Sequence, residues 1–128
     1  MCLRYFRRKR EENAMLNITT RDKAGVMIID LEGQIDGGPL SAKVHELIKQ
    51  SLDKGQKKFV LNLTDVKWLN SLGAGILIAA YASAKRQEAA LKLFGVSDRV
   101  EAVLKTCGLI PEVFEVYKDE AGAFASFA

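Results

Sequence analysis

Histidine and cysteine are nearly missing from this chain, and with them go most of the ways a protein holds a metal or runs a nucleophilic reaction. One histidine, His45, and two cysteines, Cys2 and Cys107, stand among 128 residues. The cysteines lack C-x-x-C spacing and one histidine does not complete a Cys/His ligand set, so no metal site is expected. So few cysteines fit a reducing cytoplasm. Long apolar runs are lacking too. The longest lies around Ala74 to Ala82, short of the roughly 18 residues that span a bilayer, so no membrane insertion is expected.

Excess positive charge is confined to one place, where Arg4, Arg7, Arg8, Lys9 and Arg10 precede Glu11 and Glu12. Removing those five bases and two acids from the totals of 19 and 16 leaves 14 of each sign. The body therefore has no surplus of base for direct nucleic-acid binding, which draws on released counterions. The opening residues Met1 to Phe6 lack a long apolar segment and a small-residue cleavage site, which makes them a poor secretory signal. Residues 1–14 read as a basic tail without fixed structure, with contact to anionic lipid or a partner as the sharper reading; Met15 is an equally good start. Residues 15–128 read as one domain.

What is present is an ordinary globular composition, 48% hydrophobic and 27% charged, in a chain long enough for one core. Leu16, Ile18 and Thr20 alternate with polar neighbours as a half-buried strand does, and Asp22 to Gly25 supply a turn into Val26–Leu31, an apolar run ended by Gly33. From Pro39 the period becomes helical: Leu40, Val44, Leu47, Ile48 and Leu52 share a face with Ser51, while Ser41, Glu46, Lys49, Gln50 and Asp53 take the other. Proline suits the first turn and Gly55 the helix end. His45, on this helix, reads as a solvated or edge-packed side chain.

Phe59–Leu63 reads as a buried strand, Ser71 to Glu88 as a second helix, and Ala90–Phe94 as a fourth strand. Ser97 or Asp98 caps a short third helix closed by Gly108. Val113–Tyr117 is expected as a last strand and Asp119 and Glu120 open a final helix. The order β-β-α-β-α-β-α-β-α predicts an α/β fold of about five strands and four helices, mostly parallel with an antiparallel opening hairpin.

The segment from Asp65 to Gly75 carries most information. A buried strand ends there at the sheet rim, where partners of open α/β sheets dock. Ser71 falls at the N-cap or first turn of the second helix, near backbone N–H groups with no intrahelical partner. Gly73 and Gly75 take side chains off that turn, so a partner backbone is expected to approach closely. On the same helix Ile76, Leu77, Ala79, Ala80, Tyr81 and Ala84 cover the sheet, while Gly75, Ile78 and Ala82 line a stripe beginning at Ser71. Core packing and partner contact both account for Ile78, and an exposed Ile78 would also serve a weak homodimer. Asp36 is a turn or cap residue before Pro39, a polar contact to a partner, or both. Trp68, paired with Leu69, is expected as a core anchor.

The stretch Leu61-Asn62-Leu63-Thr64-Asp65-Val66-Lys67-Trp68-Leu69-Asn70-Ser71-Leu72-Gly73-Ala74-Gly75 resembles the signature of bacterial anti-sigma factor antagonists of the STAS domain family. Leu31-Glu32-Gly33-Gln34-Ile35-Asp36 resembles that family's segment before its first helix, and Leu93 to Leu109 its next strand and helix. The resemblance runs from about Leu16 to Tyr117. It implies a STAS fold and a partner that is both anti-sigma factor and serine kinase, of the histidine-kinase-like ATPase type. It also implies phosphorylation of Ser71 that releases this partner and a phosphoserine phosphatase that reverses it. Two positions depart from the pattern: Asn70 stands where aspartate is usual, and Leu72 where a second serine is. The interface then expected comprises Asn70, Ser71, Leu72, Gly73, Gly75 and Ile78, with Asp36 and Gly37 from the adjoining loop.

Two rivals remain. An enzyme is disfavoured because Ser71 lacks the preceding glycine of a G-x-S-x-G elbow and His45 lies on another helix. A nucleotide cofactor would need a third glycine after Gly73-x-Gly75, at the place Ile78 holds, so no cofactor is expected. The other rival keeps the fold and changes the partner: a STAS module of a lipid or anion transport system, which would act without phosphorylation and which Asn70 and Leu72 suit.

Overall fold

The computed structural model describes residues 16–110 and 113–127; the expected basic tail, residues 1–14, lies outside them. Strands β1 (Leu16–Lys23) and β2 (Val26–Ile35) form the hairpin, followed by α1 (Pro39–Asp53), β3 (Lys58–Leu69), α2 (Ser71–Arg86), β4 (Ala90–Phe94), α3 (Asp98–Thr106), β5 (Val116–Tyr117) and α4 (Glu120–Ala125). The sheet order is β1-β2-β3-β4-β5, with β1 antiparallel to β2 and every other pair parallel. Helices crossing between parallel strands must lie on the sheet's faces, which is why β2, β3 and β4 read as near-continuous apolar runs. No helix among the described residues is long and apolar enough to cross a membrane.

The two faces carry unequal cores. Ile29, Leu31, Phe59, Leu61, Leu63 and Leu93 meet Val44, Ile48 and Leu52 of α1, Leu77 and Ala80 of α2, and Val100 and Leu104 of α3 in the larger one. The alternate residues Val26, Ile28, Val60 and Phe94 meet Ala123 of α4 in the smaller. On that smaller face Arg21 of β1 bridges Asp30 of β2 at 2.7 Å and Glu120 of α4 at 2.8 Å, tying the last helix to the hairpin. Hydrogen bonds from Arg21 hold both carboxyls below the usual carboxylate range.

Three strand ends differ from the sequence expectation. Gly33 does not stop β2; it takes φ +123° at a register shift and the strand continues to Ile35. β3 likewise runs past Leu63 to Leu69 because two shifts against β2 break the alternation that sequence reading follows. Leu63, Val66 and Leu69 are all buried, with Thr64-Asp65 and Lys67-Trp68 exposed between them. An extra residue in a strand flips every side chain beyond it, so Trp68 is outside, 37% exposed, and Leu69 takes the core position. Trp68 is therefore not the expected core anchor. β5 is shorter than Val113–Tyr117: the Val113 and Phe114 N–H groups both donate to the Leu109 carbonyl in a turn, and Phe114 is buried edge-on against Tyr81.

Candidate functional site at the mouth of the second helix

The neighbouring parallel strands β2 and β3 end in register at Ile35 and Leu69, and each turns directly into a helix. Their two connections therefore meet. The Asn70 N–H donates to the Ile35 carbonyl at 3.3 Å, fixing the start of α2 against the end of β2. In the β2–α1 connection the Asp36 Oδ1 accepts from the Gly38 N–H at 2.9 Å, which is the turn reading of Asp36. Gly38 caps α1 with backbone alone.

Ser41 fastens that loop from beneath. Its hydroxyl, fully buried, accepts the N–H groups of Asp36 at 3.0 Å and Gly37 at 3.1 Å and donates to the Asp36 Oδ1 at 3.3 Å. Sequence reasoning set Ser41 on the polar side of α1. The available signal was its place in the first turn after Pro39, where a hydroxyl reaches back to N–H groups of the preceding loop, here those of Asp36 and Gly37.

At α2 the residues divide sharply. Asn70 is the N-cap, its carboxamide oxygen accepting the Gly73 N–H at 2.7 Å, so this departure from the family pattern keeps the capping function. Ser71 is the first helical residue and is exposed; the N–H groups of Ser71 and Leu72 have no protein partner among the described residues, and the first turn carries no acid. Leu72 is 71% exposed and Ile78 39%. Gly75 is exposed, with open space where a side chain would stand. Ser71, Gly75, Ile78 and Ala82 thus form one open stripe with small or apolar side chains.

Gly73 corrects the sequence reading. It is buried, and a methyl group there would strike the Ile35 carbonyl, so its missing side chain admits β2 and not a partner. Gly37 has φ +87° and a methyl on it would collide with Leu72, so this half-buried glycine lets the two connections close on each other. Asp36, Gly37, Asn70, Ser71, Leu72, Gly75 and Ile78 are gathered at this end of the sheet or along α2, but only Ser71, Leu72, Gly75 and Ile78 are fully on the surface.

His45 sits deeper along the same helix pair. Its Nε2 lies 2.8 Å from the hydroxyl of Ser83, a buried residue of α2 that also accepts from Arg86 at 3.3 Å. Burial, then Lys49 and Arg86, push the imidazole below its ordinary pKa. This is an edge-packed histidine locking α1 to α2. No group of three or more His, Cys, Asp or Glu able to hold a metal occurs among the described residues.

Comparison with known proteins gives this geometry a context. The STAS domain family matches residues 17–123. The anti-sigma-B factor antagonist of Listeria monocytogenes is 30% identical over 101 residues, covering 76% of this chain and 83% of that protein. An anti-sigma factor antagonist from Mycobacterium paratuberculosis superposes with a TM-score of 0.76 at 20% identity, over 88% of this chain and 94% of that one. The Bacillus cell fate determinant SpoIIAA in its phosphorylated form superposes with a TM-score of 0.69 at 16% identity, over 88% and 100%.

Proposed function

The chain belongs to the STAS domain family, and from that premise we propose that it is an anti-sigma factor antagonist, a binding protein whose surface around Ser71 docks an anti-sigma factor and so frees the sigma factor. The partner is a serine kinase of the histidine-kinase-like ATPase type that phosphorylates Ser71, a phosphoserine phosphatase restores the hydroxyl, and the cycle runs in the cytoplasm. The observation that carries the reading is Ser71 itself: an exposed hydroxyl on the first turn of α2, with open N–H groups behind it and a bare Gly75–Ile78 stripe beside it. The name of the Listeria relative and the phosphorylated form of the Bacillus neighbour support it.

The physics of the switch needs no change of fold. A phosphoserine brings about −1.5 to −2 charges at neutral pH, and the helix N-terminus with its free N–H groups tolerates them. A partner surface seated on Ser71 must desolvate that charge, at about 3 kcal/mol or roughly a hundredfold in affinity. Incubation with the anti-sigma kinase of the same genome and ATP is expected to add one phosphate by intact mass to the wild type and none to Ser71→Ala. An unmodified wild type would remove the switch, and capture of a membrane-transport component in place of the kinase would favour the transport-system reading.

A further inference from the structure

Among the described residues the most exposed aromatic side chain, Trp68, lies beside the helix mouth, not within it. Trp68 faces outward from β3 because the shift at Lys67 turned it there, in register with Gln34 and one residue before Leu69 and Ile35. Gln34, Lys67, Trp68 and Arg99 line a shallow cavity of about 420 Å³. Gln34 and Trp68 belong to the sheet face that α4 covers only lower down, over Val26, Ile28 and Val60, while Arg99 lines the cavity from the first turn of α3. Lys67 and Arg99 are both exposed and neither enters an ion pair among the described residues. On the same face Glu32 and Asp65, also exposed, form the next pair down the strands.

An outward tryptophan sharing a cavity with two cations that form no ion pair among the described residues matches an apolar side chain followed by a carboxylate. Tryptophan and arginine are enriched among the residues that anchor protein interfaces: the indole buries a large rigid surface, and the planar guanidinium holds a carboxylate through two parallel hydrogen bonds. The acids Glu32 and Asp65 set a direction: an acidic end of the bound segment belongs at Lys67 and Arg99, and is repelled from the lower end of the face. The patch is also continuous with the helix mouth, because Trp68 and Gln34 run straight into Asn70 and Asp36.

We infer that Trp68, Lys67 and Arg99 form a second docking foot for the anti-sigma factor, gripping an acidic and apolar segment of it while its main surface sits on Ser71 and Ile78. This rests on the docking role proposed above. It extends the contact around the strand ends to Trp68 on the other face of the sheet and to Arg99 at the start of α3.

Trp68 is the one tryptophan in the chain, so labelling with fluorotryptophan gives a single fluorine resonance reporting this patch. Titration of the full chain with the purified anti-sigma factor is expected to shift that resonance. Trp68→Ala is expected to weaken binding by about thirtyfold or more at unchanged thermal midpoint. Lys67→Glu combined with Arg99→Glu is expected to weaken it about tenfold and to flatten its salt dependence. Should Trp68→Ala fail to fold, this charge-reversed pair of exposed residues carries the same test. If both variants bind like the wild type while Ile78→Asp does not, the second foot is wrong and the helix-mouth reading stands. If the wild type itself does not bind, both fall. A shift of the resonance by ATP or GTP alone, or by protein concentration alone, would give the patch to a nucleotide or to a second copy and overturn the inference.

Discussion

Helices α1 and α2 lie side by side over the same face of the sheet, yet they treat their outer surfaces in opposite ways. α1 buries Val44, Ile48 and Leu52 and turns Lys43, Glu46, Lys49 and Gln50 to water. α2 buries Ala74, Leu77, Ala80 and Ala84 and turns out Leu72, Gly75, Ile78 and Ala82. Core packing explains the inner faces of both helices. It leaves the outer stripe of α2 unexplained, and that stripe begins at the exposed Ser71. A helix apolar on two sides has a second surface to bury.

The sharpest break in this comparison is between adjacent residues of α2. Leu77→Ala, at a fully buried position, is expected to lower stability by about 2–5 kcal/mol and leave the affinity of the folded protein for the anti-sigma factor unchanged. Ile78→Asp is expected to do the reverse: a change in stability under about 1 kcal/mol and a loss of binding of roughly a hundredfold. Denaturant titration beside calorimetric binding separates the two. Equal behaviour of both variants would mean that the inner and outer faces of α2 are not distinct.

Smaller effects are expected at the two glycines of the same turn. Gly73→Ala drives a methyl into the Ile35 carbonyl and should cost about 1–3 kcal/mol or more. Gly75→Ala meets nothing and removes backbone freedom in a helix, so it should stabilise by about 0.5–1 kcal/mol while weakening docking. Thermal midpoints of the two variants should move in opposite directions.

The smallest effect belongs to the contact between the helices. His45 has its pKa lowered in the fold, so the unfolded chain takes up a proton first as pH falls through about 6.5. That contribution to stability is therefore present above the ordinary histidine pKa and is lost progressively below it. Midpoints measured between about pH 7.5 and 5.5 should show a shallow decline that His45→Gln removes.

Much of this architecture was legible in the sequence, because the period of apolar residues switches cleanly between strand and helix and Pro39 and Gly55 punctuate α1. The failures share a cause. Where β3 takes in extra residues, the two-residue alternation breaks at Thr64-Asp65 and again at Lys67-Trp68, and no local pattern says which of Trp68 and Leu69 points inward. Ser41 was missed because a buried hydroxyl is stabilised by N–H groups that only the folded loop supplies. The mouth of α2 was found from its glycines, though Gly73 serves the interior. A glycine in a sequence marks a close approach without naming what approaches.

The outer stripe of α2 is a docking surface that charge at Ser71 closes in the proposed switch. Its most direct test is the affinity of the anti-sigma factor for the chain before and after stoichiometric phosphorylation of Ser71, with thermal midpoints recorded alongside. The expected result is roughly hundredfold weaker binding by the phosphorylated chain at an unchanged midpoint. Equal affinities for the two forms would contradict it.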